Sequence, residues 1–177
     1  MAAQSSLDLT SDPRSIIGVR EFDAPRDLVF SAWTDPKHLA HWWGPNGFSH
    51  TTLSFDLRPG GVWRFVMHGP DGRDYQNHIT FEELVPPERI VYRHGGSDDG
   101  EAVHFRQTVI FEDIGGRTRM TCRSDFPSAA AREHVISEYH ADTGLEQHLG
   151  RLGDYVSGMS YHRRDDRSQP AGQEQRV

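Results

Sequence analysis

The chain has 177 residues, 35% of them hydrophobic and 25% charged, with a formal net charge of -7. That length fits one domain with a sizeable core and is short for two. No apolar run approaches the roughly 18 residues of a membrane helix, the N-terminal stretch has no signal-peptide core, and the arginines are scattered along strands, so membrane insertion, export and nucleic-acid binding are not expected. Cys122 is the only cysteine; no intramolecular disulfide is available, and a reducing, cytoplasmic setting is the simplest expectation.

In chain order, 1–13 is polar and aperiodic and is expected to be disordered, as is 162–177, with a single domain over 14–161 between them. Ser15 to Phe22, with Ile16, Ile17 and Val19, reads as a first strand. Pro25 then opens a helix to about Trp33. Asp35 is placed to N-cap a second short helix with Pro36 in its first turn, carrying Leu39, Trp42 and Trp43. Period-two segments follow: Leu53, Phe55 and Leu57; Trp63, Phe65 and Met67; Tyr75, Asn77, Ile79 and Phe81. Between them stand Pro59-Gly60-Gly61, Gly69-Pro70-Asp71-Gly72 and Val85-Pro86-Pro87. A short strand over Arg89 to His94 precedes a Gly-rich loop; Val103, Phe105, Val109 and Phe111 then share a face, and Gly115-Gly116 turns into a last strand with Thr118, Met120, Cys122 and Ser124 on one side.

Ser128 can N-cap a further helix containing Val135 and Ile136. Gly144 can kink its path, so one bent helix or two stays open. From Asp142 to Met159, Leu145, Leu149, Leu152, Val156 and Met159 lie on one helical face. The order predicts an α+β domain: a curved, seven-stranded antiparallel sheet wrapped around a long C-terminal helix, with two short helices between its first and second strands.

The segments Phe22-Asp23-Ala24-Pro25, Val29-Phe30, Trp42-Trp43-Gly44-Pro45, Asp56-Leu57-Arg58-Pro59-Gly60-Gly61 and Pro87-Glu88-Arg89, in this order, resemble the SRPBCC superfamily. The branch they resemble contains the C-terminal domain of the activator of the heat-shock-protein-90 ATPase. The resemblance spans roughly residues 14 to 160 and implies a helix-grip fold with a cavity between sheet and C-terminal helix. Superfamily members bind lipids, hormones or polyketides, and some catalyse cyclisation. One departure is that Gly144 is followed by Leu145, where many relatives carry an aromatic.

Trp42, Trp43 and Phe48 are placed near the mouth of such a cavity, Phe65, Met67, Met120, Leu145 and Leu152 on its walls, and Tyr75 and Asn77 as polar groups within it. His68, Tyr75 and His148 are weak candidates for acid-base work, with Glu138 near His148 if the helix is continuous. His38 and His41 share a helix face but lack a third ligand, so no metal is expected. Cys122 reads as a core thiol, and no phosphate loop or nucleophile elbow is present, so no cofactor is expected.

The leading expectation is binding of a small apolar or aromatic molecule; the alternative is a cyclase- or hydrolase-type enzyme using that cavity, and the third is a chaperone ATPase activator. The short stretch before the first strand leaves no room for the second domain of the eukaryotic activators, so a chaperone partner is not expected. A homodimer is compatible with these sequence features.

Overall fold

The structure is a computed structural model that describes residues 5–96 and 104–167. Strands β1 (Ser5–Asp8) and β2 (Ser15–Phe22) lead into helices α1 (Arg26–Thr34) and α2 (Pro36–Trp42). A meander follows: β3 (Ser49–Phe55), β4 (Val62–His68), β5 (Asp74–Val85), β6 (Arg89–Gly96), β7 (Phe105–Asp113) and β8 (Thr118–Asp125). Helices α3 (Ala129–Tyr139) and α4 (Ala141–Arg167) complete the order. All pairings are antiparallel, in the order β1-β2-β8-β7-β6-β5-β4-β3. The α+β helix-grip class expected from the sequence is therefore present, with eight strands among the described residues instead of seven.

The additional strand lies in the segment expected to be disordered. Leu7 and Leu9 pack against Ile16, Phe126 and Val135, and the buried Arg132 donates to the carbonyls of Leu9 (2.6 Å) and Pro13 (3.3 Å). Two leucines anchored by distant partners outweigh a polar local composition that carries no period of its own. At the other end α4 continues to Arg167, beyond the boundary expected at 161.

The start signals act as read. Asp35 accepts from the Lys37 amide at 2.9 Å with Pro36 in the first turn of α2, and Ser128 accepts from the Ala131 amide at 3.0 Å. Between α3 and α4 the break falls at His140, not Gly144. His140 adopts the left-handed conformation (φ 51°) and its amide donates to Ile136, so the segment is two helices and Gly144 sits in the first turn of α4.

The stripe on α4 faces the sheet: Leu149, Leu152 and Val156 are buried, and Leu145 and Met159 pack partly buried against the same core. Gly18 of β2 lets the helix approach, since a Cβ there would lie 3.0 Å from Leu149 Cδ1 and 3.2 Å from Leu145 Cδ2. One register differs from expectation. The β3 pairing with β4 shifts between Thr52 and Ser54, which turns Leu53 outward (61% exposed), and Leu57 beyond the strand is also exposed. A bulge adds one residue and so reverses the alternation on one side of it. Val103 lies outside the described residues.

Candidate functional site

Between the concave face of the sheet and the first turns of α4 lies a cavity of about 250 Å³. β6 contributes Tyr92 and His94, β7 Phe105 and Gln107, and β8 Cys122 and Ser124. Ile16 of β2, Trp33 of α1, Met67 of β4 and Phe126 add apolar wall. Trp43, Gly44 and Pro45 form the roof, and Tyr139, Ala141, Gly144, Leu145 and His148 close the helical side. None of these side chains carries a formal charge at neutral pH once the two histidines are considered.

The floor is a polar row crossing three strands. Tyr92 is directly opposite Gln107 on β7, and Gln107 is opposite Ser124 on β8. Ser124 Oγ donates to Gln107 Oε1 (2.6 Å), and Gln107 Nε2 donates to Cys122 Sγ (2.7 Å). The glutamine amide is thereby fixed at both ends, as a buried polar group requires. Burial pushes the Cys122 thiol up to about 12, against the opposing Gln107 hydrogen bond, and raises Tyr92 well above its ordinary range, with Cys122 adding to the effect. Both stay protonated.

Two histidines meet the cavity with their tautomers set by hydrogen bonds. The Gly44 amide donates to His148 Nδ1 at 3.0 Å, which leaves the ring proton on Nε2. On β6, His94 Nε2 lies 3.1 Å from Asn77 Oδ1, while Asn77 Nδ2 donates to the Tyr75 carbonyl. His94 therefore carries its proton on Nε2 and presents Nδ1 as an acceptor. Burial, then the Arg151 charge, lowers His148 to about 3; burial, then His78 and His104, lowers His94 to about 4. The imidazole of His148 also sits among the rings of Trp42, Trp43 and Trp33, at centroid distances of 4.9, 4.6 and 5.9 Å.

The roof is tied down by three residues of α4. Besides the bond to His148, the Asn46 amide donates to Gln147 Oε1 (3.1 Å). Arg151 Nη1 points into a ring of carbonyls from Gly44, Pro45 and Phe48, each at 3.0 Å, with Trp43 at 3.4 Å.

Of the residues expected from the sequence, Trp43, Met67, Leu145 and His148 line the cavity. Trp42, Phe65, Met120 and Leu152 are fully buried in the core behind it; their side chains fill space that the helix and sheet share and do not reach the void. Phe48 serves the roof through its carbonyl, and its ring stands 6.2 Å from that of Tyr75. Tyr75 lies past the mouth, 37% exposed, beneath the Arg73 guanidinium. Asn77 acts on the cavity only through His94. His68 is on the outer face, between Thr51 Oγ1 (2.8 Å) and Asp74 Oδ1 (2.7 Å). Glu138 is exposed on α3, separated from His148 by the break at His140. Among the described residues no group of three or more His, Cys, Asp or Glu side chains is arranged to hold a metal ion.

Sequence reasoning missed Tyr92, His94, Gln107 and Ser124 as a set. The signal was there: alternation puts Gln107 on the face of Phe105 and Val109, and Ser124 on that of Met120 and Cys122.

A curved antiparallel sheet gripping a C-terminal helix, with a cavity between them, defines a protein of the SRPBCC superfamily. Residues 23–157 match the family described as Activator of Hsp90 ATPase homolog 1-like protein, and the chain belongs to it. Among solved structures it is similar to a protein from Arthrobacter aurescens: 28% identity, 86% of this chain and 91% of that one covered, TM-score 0.80. It is also similar to protein CV1439 from Chromobacterium violaceum: 28% identity, 82% and 98% covered, TM-score 0.70. Protein Ms6760 from Mycobacterium smegmatis shares the fold at 23% identity, with 91% and 99% covered and a TM-score of 0.74. No curated protein matches the sequence. No helix among the described residues is long and apolar enough to cross a membrane.

Proposed function

We propose that this protein binds a small, largely apolar molecule in the cavity between β6, β7, β8 and the start of α4. The observation that carries this reading is the wall itself: among the described residues, aromatic and aliphatic side chains with a few fixed polar points and no formal charge, around a volume of about 250 Å³. Catalysis in the same cavity is the weaker reading. His94 and His148 both reach it, but bases lowered to about 4 and about 3 are poor proton acceptors at neutral pH.

The test is titration of the purified protein with naphthalene, followed by quenching of tryptophan fluorescence, alongside mass spectrometry of whatever small molecule co-purifies. Saturable one-to-one binding that is lost in Leu145→Trp, which fills the void from the helical side, supports the reading. Quenching that never saturates, or that Leu145→Trp leaves unchanged, refutes it.

A further inference from the structure

The polar groups at the cavity are of two kinds. Gln107 and Ser124 satisfy each other. Among the described residues His94 and His148 make one side-chain hydrogen bond each, to Asn77 and Gly44, which leaves His94 Nδ1 and His148 Nε2 open, Tyr92 Oη makes none, and the enclosed Trp33 Nε1 on the same cavity wall is a donor without a partner. Leaving buried polar groups without partners is unfavourable, so a ligand that supplies those bonds gains more than one that merely fills the space.

The two histidines and Tyr92 define what the ligand must offer. His148 Nε2, fixed as a donor by the Gly44 amide, calls for an acceptor; His94 Nδ1, fixed as an acceptor by the Asn77 contact, calls for a donor. Tyr92 serves either way, and it lies two residues from His94 on one face of β6, about 7 Å away along the strand. A hydroxyl is the smallest group that both donates and accepts. Among the described residues no Lys, Arg, Asp or Glu lines the cavity, so a carboxylate or an ammonium entering it would lose its hydration with no counter-charge from them. The rings of Trp33, Trp43, Phe105 and Phe126 favour a flat body. An apolar cavity of about 150 Å³ takes up benzene, so about 250 Å³ accommodates two fused rings.

We propose that the ligand is an uncharged, phenol-type molecule of one or two rings whose hydroxyl bonds to the open groups of Tyr92, His94 and His148. This rests on the binding function proposed above and specifies its ligand class.

The test compares 2-naphthol, 2-methoxynaphthalene, naphthalene and 2-naphthoate by tryptophan quenching and calorimetry at neutral pH, with wild-type protein and Tyr92→Phe. Expected is 2-naphthol about tenfold tighter than naphthalene, the methyl ether in between because it accepts but cannot donate, and no saturable binding of 2-naphthoate. Tyr92→Phe narrows the gap between naphthol and naphthalene. Equal affinity for naphthol and naphthalene, or tighter binding of the naphthoate, overturns the ligand class while leaving apolar binding intact. Failure of all four to bind saturably removes the binding function itself.

Discussion

Acid should destabilise this protein well before its carboxylates titrate, because His94 and His148 are held neutral in the folded state. Their ordinary value is 6.5, and the fold lowers them to about 4 and about 3. Above pH 6.5 both states are neutral and no penalty exists. Below it the unfolded chain binds a proton at each histidine that the folded chain refuses, so stability falls with falling pH until the folded values are reached. Each group contributes about 1.4 kcal/mol per pH unit in that window, so at about pH 5 the loss is about 2 kcal/mol for one histidine and about 4 kcal/mol for the two together. Against a typical total of about 5 to 15 kcal/mol this is a large fraction. His50 is lowered too, by burial and then by Arg151 and His68, and adds in the same direction. Asp8, Asp12 and Glu82 are lowered from ordinary values of 3.8, 3.8 and 4.5, so their contribution is lost only at more acid pH. The assay is the urea midpoint between pH 7.5 and 5, for wild type and for His148→Gln and His94→Gln. Each variant should lose close to half of the slope attributed to the pair. A wild-type midpoint that stays flat from pH 6.5 to 5 refutes the reasoning, as does a His148→Gln protein with the full wild-type slope.

Leu152→Ala should lower the unfolding free energy by about 2 to 5 kcal/mol in urea titration, since the side chain is fully buried in the grip between α4 and the sheet. Arg151→Met removes the donor from the carbonyl ring over residues 43–48; amide exchange at Gly44 and Asn46 should accelerate by about tenfold or more relative to β7, a local opening equivalent to about 1.4 kcal/mol. Cys122, buried and pushed up to about 12, should react with a disulfide reagent at pH 8 far more slowly in native protein than in urea, and comparable rates would contradict its burial.

The parts of the fold legible in the sequence are those with strong local signals. Asp35-Pro36 and Ser128 announced helix starts, Gly115-Gly116 announced a hairpin, and the stripe from Leu145 to Met159 named the gripped helix and its buried face. What escaped depends on contacts distant in sequence. β1 is ordered by Ile16, Phe126 and Arg132, and Leu53 was turned out by a bulge that leaves no mark on the local pattern. For the cavity, aromatic content pointed to the right elements but not to depth. Trp42 and Trp43 are neighbours in the chain, yet Trp42 donates to the Ala32 carbonyl inside the core (3.0 Å) whereas Trp43 faces the void.

The persistence of a void in an otherwise close-packed domain has a physical explanation in the same residues. Along α4 the grip is tight where Leu149, Leu152 and Val156 meet apolar side chains, and there the helix and sheet share one core. Toward its N-terminus the floor changes to Gln107, Ser124 and Tyr92, with the first two bonded to each other and Gln107 also to Cys122. Sliding the helix down onto that floor would gain little apolar burial and would press Leu145 against a polar row already committed within the sheet. The roof cannot collapse inward either, because Gln147, His148 and Arg151 hold its backbone at five residues, Trp43, Gly44, Pro45, Asn46 and Phe48. Hydrogen bonds on floor and roof thus keep open a space that hydrophobic packing alone would close, and Arg151, whose charge helps to hold His148 neutral, is part of that same framework.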